Sequence, residues 1–558
     1  MNTISDKPDW HKKVFDDAIV KKWKEEATSA ALPNTEISDK MVDWCIEELR
    51  YKAKLPIFAS HGAISVYDGD VVKSDTAIPQ EVTEALKQAV VPLEDVPELQ
   101  RDWHPGSNGQ VLDLVHPSLF PLVYGTTRIL PDSLTTLDDF AKRCGEGVTS
   151  SVPPESELGI EEKSQSYFRR TPDKVFSQKF QWLPCEVDIS EDRPKITSYI
   201  NNLHPQRHPE LYKVVEDVLS SVIPLWNVTL TSRKAELLEW NRIIFTGPEF
   251  DPIPEDEGPQ QEEDEDDHDF EQRREDWIRD NRRIVQPDAE TFSPPSVRSH
   301  LKDQYFLPSG ELKPEKTVDL KRDYGHRGLQ VIVKLANIHL TPEKPSYPGG
   351  TWHVEGQLNE HICASAIYYY SNDNISTSTL GFRQLSDATA DDLEYEQNDH
   401  DWIGPIFGCE QDGSVLQDLG GVETREGRVI TFPNILQHQV QPFKLTDASR
   451  PGHRKILALF LVDPNIRVIS TANVPCQRRD WWEQSIRELE TDGGKKTKIG
   501  LTGLPVELAD MVVKQVDGFP ISLEEAKELR EELMEERKKF VITHQGILEG
   551  FTISLCEH

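Results

Sequence analysis

The chain has 558 residues, 37% of them hydrophobic and 28% charged, with a formal net charge of −35 at pH 7. That length exceeds what one ordinary core encloses, so two or more packed units are expected, and no apolar run approaches the ~18 residues a membrane span needs. So large an acidic excess repels a phosphate backbone, and no Lys/Arg stripe interleaved with aromatics offsets it, so neither nucleic acid nor a membrane is an expected partner.

The opening MNTISDKPDWHKK has no apolar h-region, and the seven cysteines are scattered without a CxxC pair. A disulfide framework and a thiolate zinc site are both disfavoured, and a reducing, cytoplasmic location is expected.

Residues 1–248 read as a helix-rich N-terminal domain. Its strongest element is Pro209 to Ile223, where Leu211, Val214, Val215, Val218, Leu219, Val222 and Ile223 share one face at helical spacing and Pro209 suits the first turn. Lys40 to Lys52 and Thr231 to Ile243 show a weaker helical pattern, whereas Val111 to Tyr124 is broken by prolines and suits a loop or short buried pieces. Residues 249–290 read as an acidic linker. Between Glu255 and Glu271, 11 of 17 residues are acidic and none is basic, a run that self-repels and predicts a disordered surface insertion.

The period changes at Leu329. LQVIVKLANIHL sets Leu329, Val331, Val333 and Leu335 on alternate positions, and Ile362 to Tyr370, Arg428 to Phe432, Leu436 to Phe443 and Lys455 to Val462 continue as strands between turn residues. Residues 291–475 are therefore expected to form a sandwich or closed jelly roll. Residues 476–558 return to helix, with Ser522 to Phe540 opening on a Ser522/Glu525 capping box and expected to cover the barrel or a partner subunit. The expected fold class is α+β: a double-stranded β-helix (jelly-roll) core with a large helix-rich N-terminal region and C-terminal helices.

Chemistry concentrates between Tyr347 and Asn372, YPGGTWHVEGQLNEHICASAIYYYSN. His353 and Glu355 offer an imidazole and a carboxylate on a Gly-flanked loop, but the pattern H-x-[DE] alone is expected about three times by chance in this composition and occurs twice, the other being His208-Pro209-Glu210. Context separates them, because His353 precedes a strand and His208 opens a helix. His438 shares its strand face with Leu436 and Val440, opposite Gln437, Gln439 and Gln441. By itself a histidine on an apolar face is more often a hydrogen-bonded core residue. Two histidines and one carboxylate in this order and strand context form the facial set used by non-haem iron oxygenases. An oxo-acid cosubstrate would also need a fixed cation, and Arg454 shares parity with Ile456, Ala458 and Phe460. Glu360-His361 is a weaker substitute ligand pair, ranked below as the start of a strand.

These residues resemble the Fe(II)/2-oxoglutarate-dependent dioxygenases, and within them the prolyl-hydroxylase-like group. That group's H-x-D, tyrosine-ended strand and H-x-V-x-P are mirrored by HVEG, AIYYYSN and HQVQP, with Glu355 replacing the commoner Asp and a longer loop, Pro442 to His453, before Arg454. The resemblance implies that His353, Glu355 and His438 bind Fe(II), that Arg454 and Tyr369 hold the far carboxylate of 2-oxoglutarate, and that O2 takes the remaining position. It also implies hydroxylation of a small molecule or a protein side chain. The phrases VLDLVHPSLFPLVYG, FQWLPCEVDIS, SYINNLHP and YPGGTWHVEGQLNEH further resemble a fungal family known as domain of unknown function 4246. Two other readings stand beside this one: a cupin-like metal oxidase or isomerase without 2-oxoglutarate, and a non-catalytic jelly-roll scaffold. Substrate and oligomeric state stay open at this level.

Overall fold

A computed structural model describes the chain except residues 30–36, 68–69, 155–174, 236, 241, 255–256, 387–392, 398, 492–507, 509–510, 512–514, 516–517 and 556–558. The elements that position the site are helices α1 (Asp17–Thr28), α2 (Asp39–Lys52), α3 (Gln80–Ala89), α4 (Pro209–Lys234), α5 (Asp267–Asn281) and α6 (Leu523–Glu549). The strands are β1 (Ile64–Tyr67), β2 (Val71–Ser74), β3 (Val111–Val115), β4 (Cys185–Asp188), β5 (Lys195–Ile196), β6 (Leu329–Leu340) and β7 (Ser346–Tyr347). They continue with β8 (Ile362–Asp373), β9 (Thr379–Leu385), β10 (Leu416–Glu423), β11 (Val429–Pro433), β12 (Gln437–Val440), β13 (Phe443–Lys444) and β14 (Gly452–Val462).

The fold is α+β with antiparallel sheets. A nine-stranded sheet runs β1-β2-β11-β8-β14-β6-β4-β5, with β3 also pairing β6. A three-stranded sheet runs β10-β9-β12, and β7 pairs β13. Five of the nine large-sheet strands come from the region expected to be a separate helix-rich domain, so residues 1–248 and residues 291–475 share one sheet. The Val111 to Tyr124 stretch, read as loop or short pieces, supplies β3.

Each face of the large sheet has its own cover. Val331, Val333, Leu335, Tyr368 and Tyr370 pack against Val215, Val218 and Trp226 of α4. The opposite residues, Ile332, Ile367, Tyr369, Ala458 and Phe460, pack against Leu380, Phe382, Val422 and Leu436 of the small-sheet side. This double burial explains why β6 is buried at nearly every position rather than half-exposed as its alternation predicts. Helix α4 begins at Pro209 as expected but continues past Pro224 to Lys234. Burial of Leu225 and Trp226 beyond the proline, ~1.5–3 kcal/mol for each fully buried large side chain, offsets the lost hydrogen bond. Among the described residues, the weaker pattern at Thr231 to Ile243 forms no helix of its own, because beyond Ala235 the backbone bridges instead from Glu239 to Ser296 and from Ile243 to Ala289.

The acidic segment contains α5. Asp266 caps it by accepting the backbone N–H groups of His268 and Asp269, Asp267 and Asp269 sit at its positive end, and Arg273 pairs with Glu265 at 2.6 Å. Local capping thus supplies what the apolar area does not, since no residue of α5 is buried. Helix α6 opens on the expected Ser522/Glu525 capping box and extends to Glu549. It lies over the space between the sheets, where Leu533 joins the inner core and Arg537 stacks on Trp182 at 3.8 Å.

Candidate metal centre

The chain enters the site from β7 through Gly349 and Gly350. Gly349 has φ +95°, and a Cβ there would meet the Val440 carbonyl oxygen at 2.8 Å, so only glycine lets this loop lie against β12. The Gly350 N–H donates to Val440 O at 2.9 Å, and His353 and His438 then exchange both backbone hydrogen bonds, at 3.2 and 3.0 Å. This pairing sets the two imidazoles side by side, 4.4 Å between ring centres. Asn434 fixes the third member: its Oδ1 accepts the Glu355 N–H at 2.8 Å and its Nδ2 donates to Glu355 O at 2.9 Å.

The three side chains converge. Glu355 Oε1 lies 3.3 Å from His438 Nε2 and 3.8 Å from His353 Nε2. The donor atoms of His353, Glu355 and His438 all fall within 4.8 Å of one another. The Thr351 carbonyl, 2.8 Å from His353 Nδ1, can only accept, so the ring proton sits on Nδ1 and the Nε2 lone pair faces the carboxylate. Burial and the neighbouring His438 push the His353 pKa down to about 4. Burial works to raise that of Glu355, but the hydrogen bond with His438 and the charges of His353, His438 and Lys334 bring it down to about 2. At neutral pH the site therefore presents an ionised carboxylate and, at His353, a neutral ligand-ready ring. Two imidazoles and one carboxylate on one side of a point suit a six-coordinate divalent transition metal with positions left for other ligands.

Arg454 occupies the inner face of β14 as its parity predicts. It is 2% exposed, donates from Nη1 to Ser378 Oγ at 2.9 Å, and sets its guanidinium 5.5 Å from the Tyr369 ring and 5.0 Å from the Phe443 ring. Its Nε has no partner, and among the described residues no carboxylate pairs with it. Burial lowers its pKa and drives that of Tyr369 up to about 12. A buried guanidinium with unused donors is a strong anion receptor.

Of the other sequence candidates, Tyr369 alone among the strand tyrosines faces this interior. Tyr368 bonds Thr83 at 2.5 Å and Tyr370 bonds Asn337 at 3.2 Å on the helix-covered face. Trp352, expected near a substrate pocket or as a core anchor, packs beside Gly381 under the Arg383 guanidinium, 4.7 Å from its ring. Glu360 is consumed structurally, since it accepts from the Trp182 and Gln357 backbone N–H groups and from Arg537 at 2.5 Å, so the Glu360-His361 pair is no ligand set.

Two features escaped the sequence reading. Lys334 projects from the inner face of β6, between Ile332 and Ala336, a lysine within an apolar run that double burial would have singled out. A second cluster, His104, Asp113 and His116, also has donor atoms within 4.8 Å. It fits an ion poorly. His104 Nδ1 bonds Asp113 Oδ2 at 2.8 Å, and His116 Nδ1 accepts the Ser118 backbone N–H at 3.2 Å, which leaves the proton of the neutral His116 ring on Nε2.

Among solved structures, the chain is similar to the Fe(II)/(alpha)ketoglutarate-dependent dioxygenase TqaL at 12% identity, covering 26% of this chain and 46% of that one, with a TM-score of 0.16. It is also similar to a Pseudomonas putida prolyl-4-hydroxylase at 15% identity, 24% and 52% coverage and a TM-score of 0.13. A third is EvdO2 from Micromonospora carbonacea var. aurantiaca complexed with 2-oxoglutarate, at 9% identity, 24% and 52% coverage and a TM-score of 0.13. The chain spans about half the length of these neighbours, and overlaps this partial establish neither fold nor function. No functionally curated protein matches it. The family model described as "Protein of unknown function (DUF4246)" matches residues 39–485, and that of the DUF4246 N-terminal domain matches residues 1–26. With most of its length matched, the chain belongs to the DUF4246 family.

Proposed function

We propose that this protein is a non-haem Fe(II)/2-oxoglutarate-dependent dioxygenase built on a jelly-roll core. The observation that carries this reading is the convergence of His353, Glu355 and His438 in an interior that also holds Arg454, a buried cation with no carboxylate partner among the described residues. The strand order supports the jelly-roll part: β6-β14-β8-β11 in one sheet faces β12-β9-β10 in the other, with β7 carried alongside through β13 and the His353–His438 bridge.

His353, Glu355 and His438 would hold Fe(II), which with 2-oxoglutarate and O2 supplies the oxidising chemistry for hydroxylation. The protein's own part is placement. Arg454 and Ser378 would receive the far carboxylate of 2-oxoglutarate, and Tyr369 walls that pocket with an uncharged ring. Phe382, Phe432 and Phe460 exclude water around it, and α6 closes the space from above. The Asn434 clamp and the Thr351 carbonyl keep Glu355 and His353 oriented, the outer hydrogen bonds on which metal affinity depends.

Anaerobic titration of the full chain with Fe(II) and 2-oxoglutarate tests this directly. A visible charge-transfer band that saturates at one equivalent and disappears in His438→Ala is the expected result. Folded protein that gives no band, or gives the same band in the variant, would refute the site. A cupin-like oxidase without 2-oxoglutarate would instead turn over normally after loss of Arg454.

A further inference from the structure

The inner face of the large sheet carries two opposite charges that the iron site does not use. Asp113 on β3 pairs with Ala336 of β6, and Lys334 lies two residues along β6 on the same face. The Asp113 side chain is 1% exposed. Its Oδ2 takes the His104 bond at 2.8 Å, while its Oδ1 is buried without a partner. The nearest guanidinium, Arg530, is 3.9 Å from Oδ2 and committed to both oxygens of Asp102, at 2.6 and 2.9 Å. Lys334 has no hydrogen-bond or ion-pair partner among the described residues, Asp113 included. Lys334 lies opposite Ala458 of β14, on the same inner face as Arg454, and its charge acts on Asp113 and His116 as well as on Glu355 and His353.

We propose that Asp113 and Lys334 are the substrate-recognition pair of this oxygenase and that the substrate is a zwitterion of the free amino acid class, its ammonium group on Asp113 and its carboxylate on Lys334. The inference rests on the reading above and adds the substrate to it. A buried carboxylate oxygen left without a donor is destabilising, and a ligand ammonium would supply the missing hydrogen bond. A simple amine is repelled by Lys334 and a simple carboxylate by Asp113, whereas one molecule bearing both groups satisfies both. His116 fits the same ligand. Its Nε2–H adds a donor beside Asp113, and burial keeps the ring neutral, so His116 itself adds no further positive charge there.

Saturation-transfer NMR on the metal-free full chain, with the twenty free proteinogenic amino acids and their N-acetyl and carboxamide derivatives as probes, tests the pair without requiring turnover. At least one free amino acid should bind at millimolar concentration or below, and both derivatives should bind at least tenfold more weakly. Asp113→Asn should erase the discrimination against the N-acetyl form and Lys334→Met that against the carboxamide. His353→Ala should leave both intact. Absence of binding by every free amino acid overturns the proposal, as does equal binding of the N-acetyl form. Equal binding of the carboxamide overturns it in favour of a peptide amino terminus. Because the iron and 2-oxoglutarate titration is read separately, a chelate band without amino acid binding would sink this inference and leave the oxygenase reading standing.

Discussion

Arg454 is the residue whose placement is hardest to explain by stability alone. Its guanidinium lies between the Tyr369 and Phe443 rings with one hydrogen bond, to Ser378, and no described carboxylate nearby. Replacing such a buried, unpaired charge by a hydrophobic side chain of similar length is commonly neutral or stabilising. Arg454→Met is therefore expected to leave the thermal midpoint unchanged or raised, while 2-oxoglutarate affinity, read from the charge-transfer titration, falls roughly 10- to 100-fold for the loss of a charge-assisted contact. A variant that melts several degrees lower yet binds 2-oxoglutarate normally would make Arg454 a packing residue. The sequence already pointed to Arg454 through parity, since strand position decides which face a side chain takes. It missed Lys334 because β6 was read as half-exposed, and a lysine on an exposed face attracts no notice.

At the scale of elements, legibility followed how local the determinant was. The α6 capping box and the β6, β8 and β14 strands depend on short-range pattern and formed at or near the expected places. Strands β3 and β4 owe their existence to pairing with β6 across more than a hundred residues of sequence, and β10, LQDLGGVE, is too polar and glycine-rich to announce itself. The loop that carries His353 and Glu355 combines both kinds of information. Its Gly-Gly is visible in sequence, but only the structure shows that Gly349 lies against the Val440 carbonyl and so sets the His353–His438 pairing. Gly349→Ala should cost about 1–3 kcal/mol from its positive φ, with a further loss of Fe(II) affinity as the loop lifts from β12. Gly106, at φ +77° with open space around it, is the control. Gly106→Ala should lower the denaturation midpoint through its positive φ and leave the Fe(II) titration unchanged, so equal metal affinities in the two variants would contradict this role for the loop.

For the molecule as a whole, the large sheet joins residues from the N-terminal third to β14, which carries Arg454 against the candidate site, so stability and site integrity should respond to pH together. His339 on β6 and His453 on β14 pair near one end of their shared ladder in that sheet, 6.4 Å between rings. Burial first, then the charges of His453 and Lys455, depress the His339 pKa to about 4 from an ordinary 6.5. The unfolded chain therefore takes up a proton at this position as pH falls through about 6.5, and the folded chain does so only near 4. Over that window the unfolded state binds more protons, so folding stability declines as pH falls and levels off below about 4. The largest contribution that such a shift allows is about 3 kcal/mol. His339→Gln, which cannot titrate, should flatten the slope of urea-unfolding free energy between pH 6.5 and 4 relative to the wild-type chain, whatever its effect at pH 7. Identical slopes in the two proteins would mean that the His339 ring is solvated enough to charge within the folded sheet.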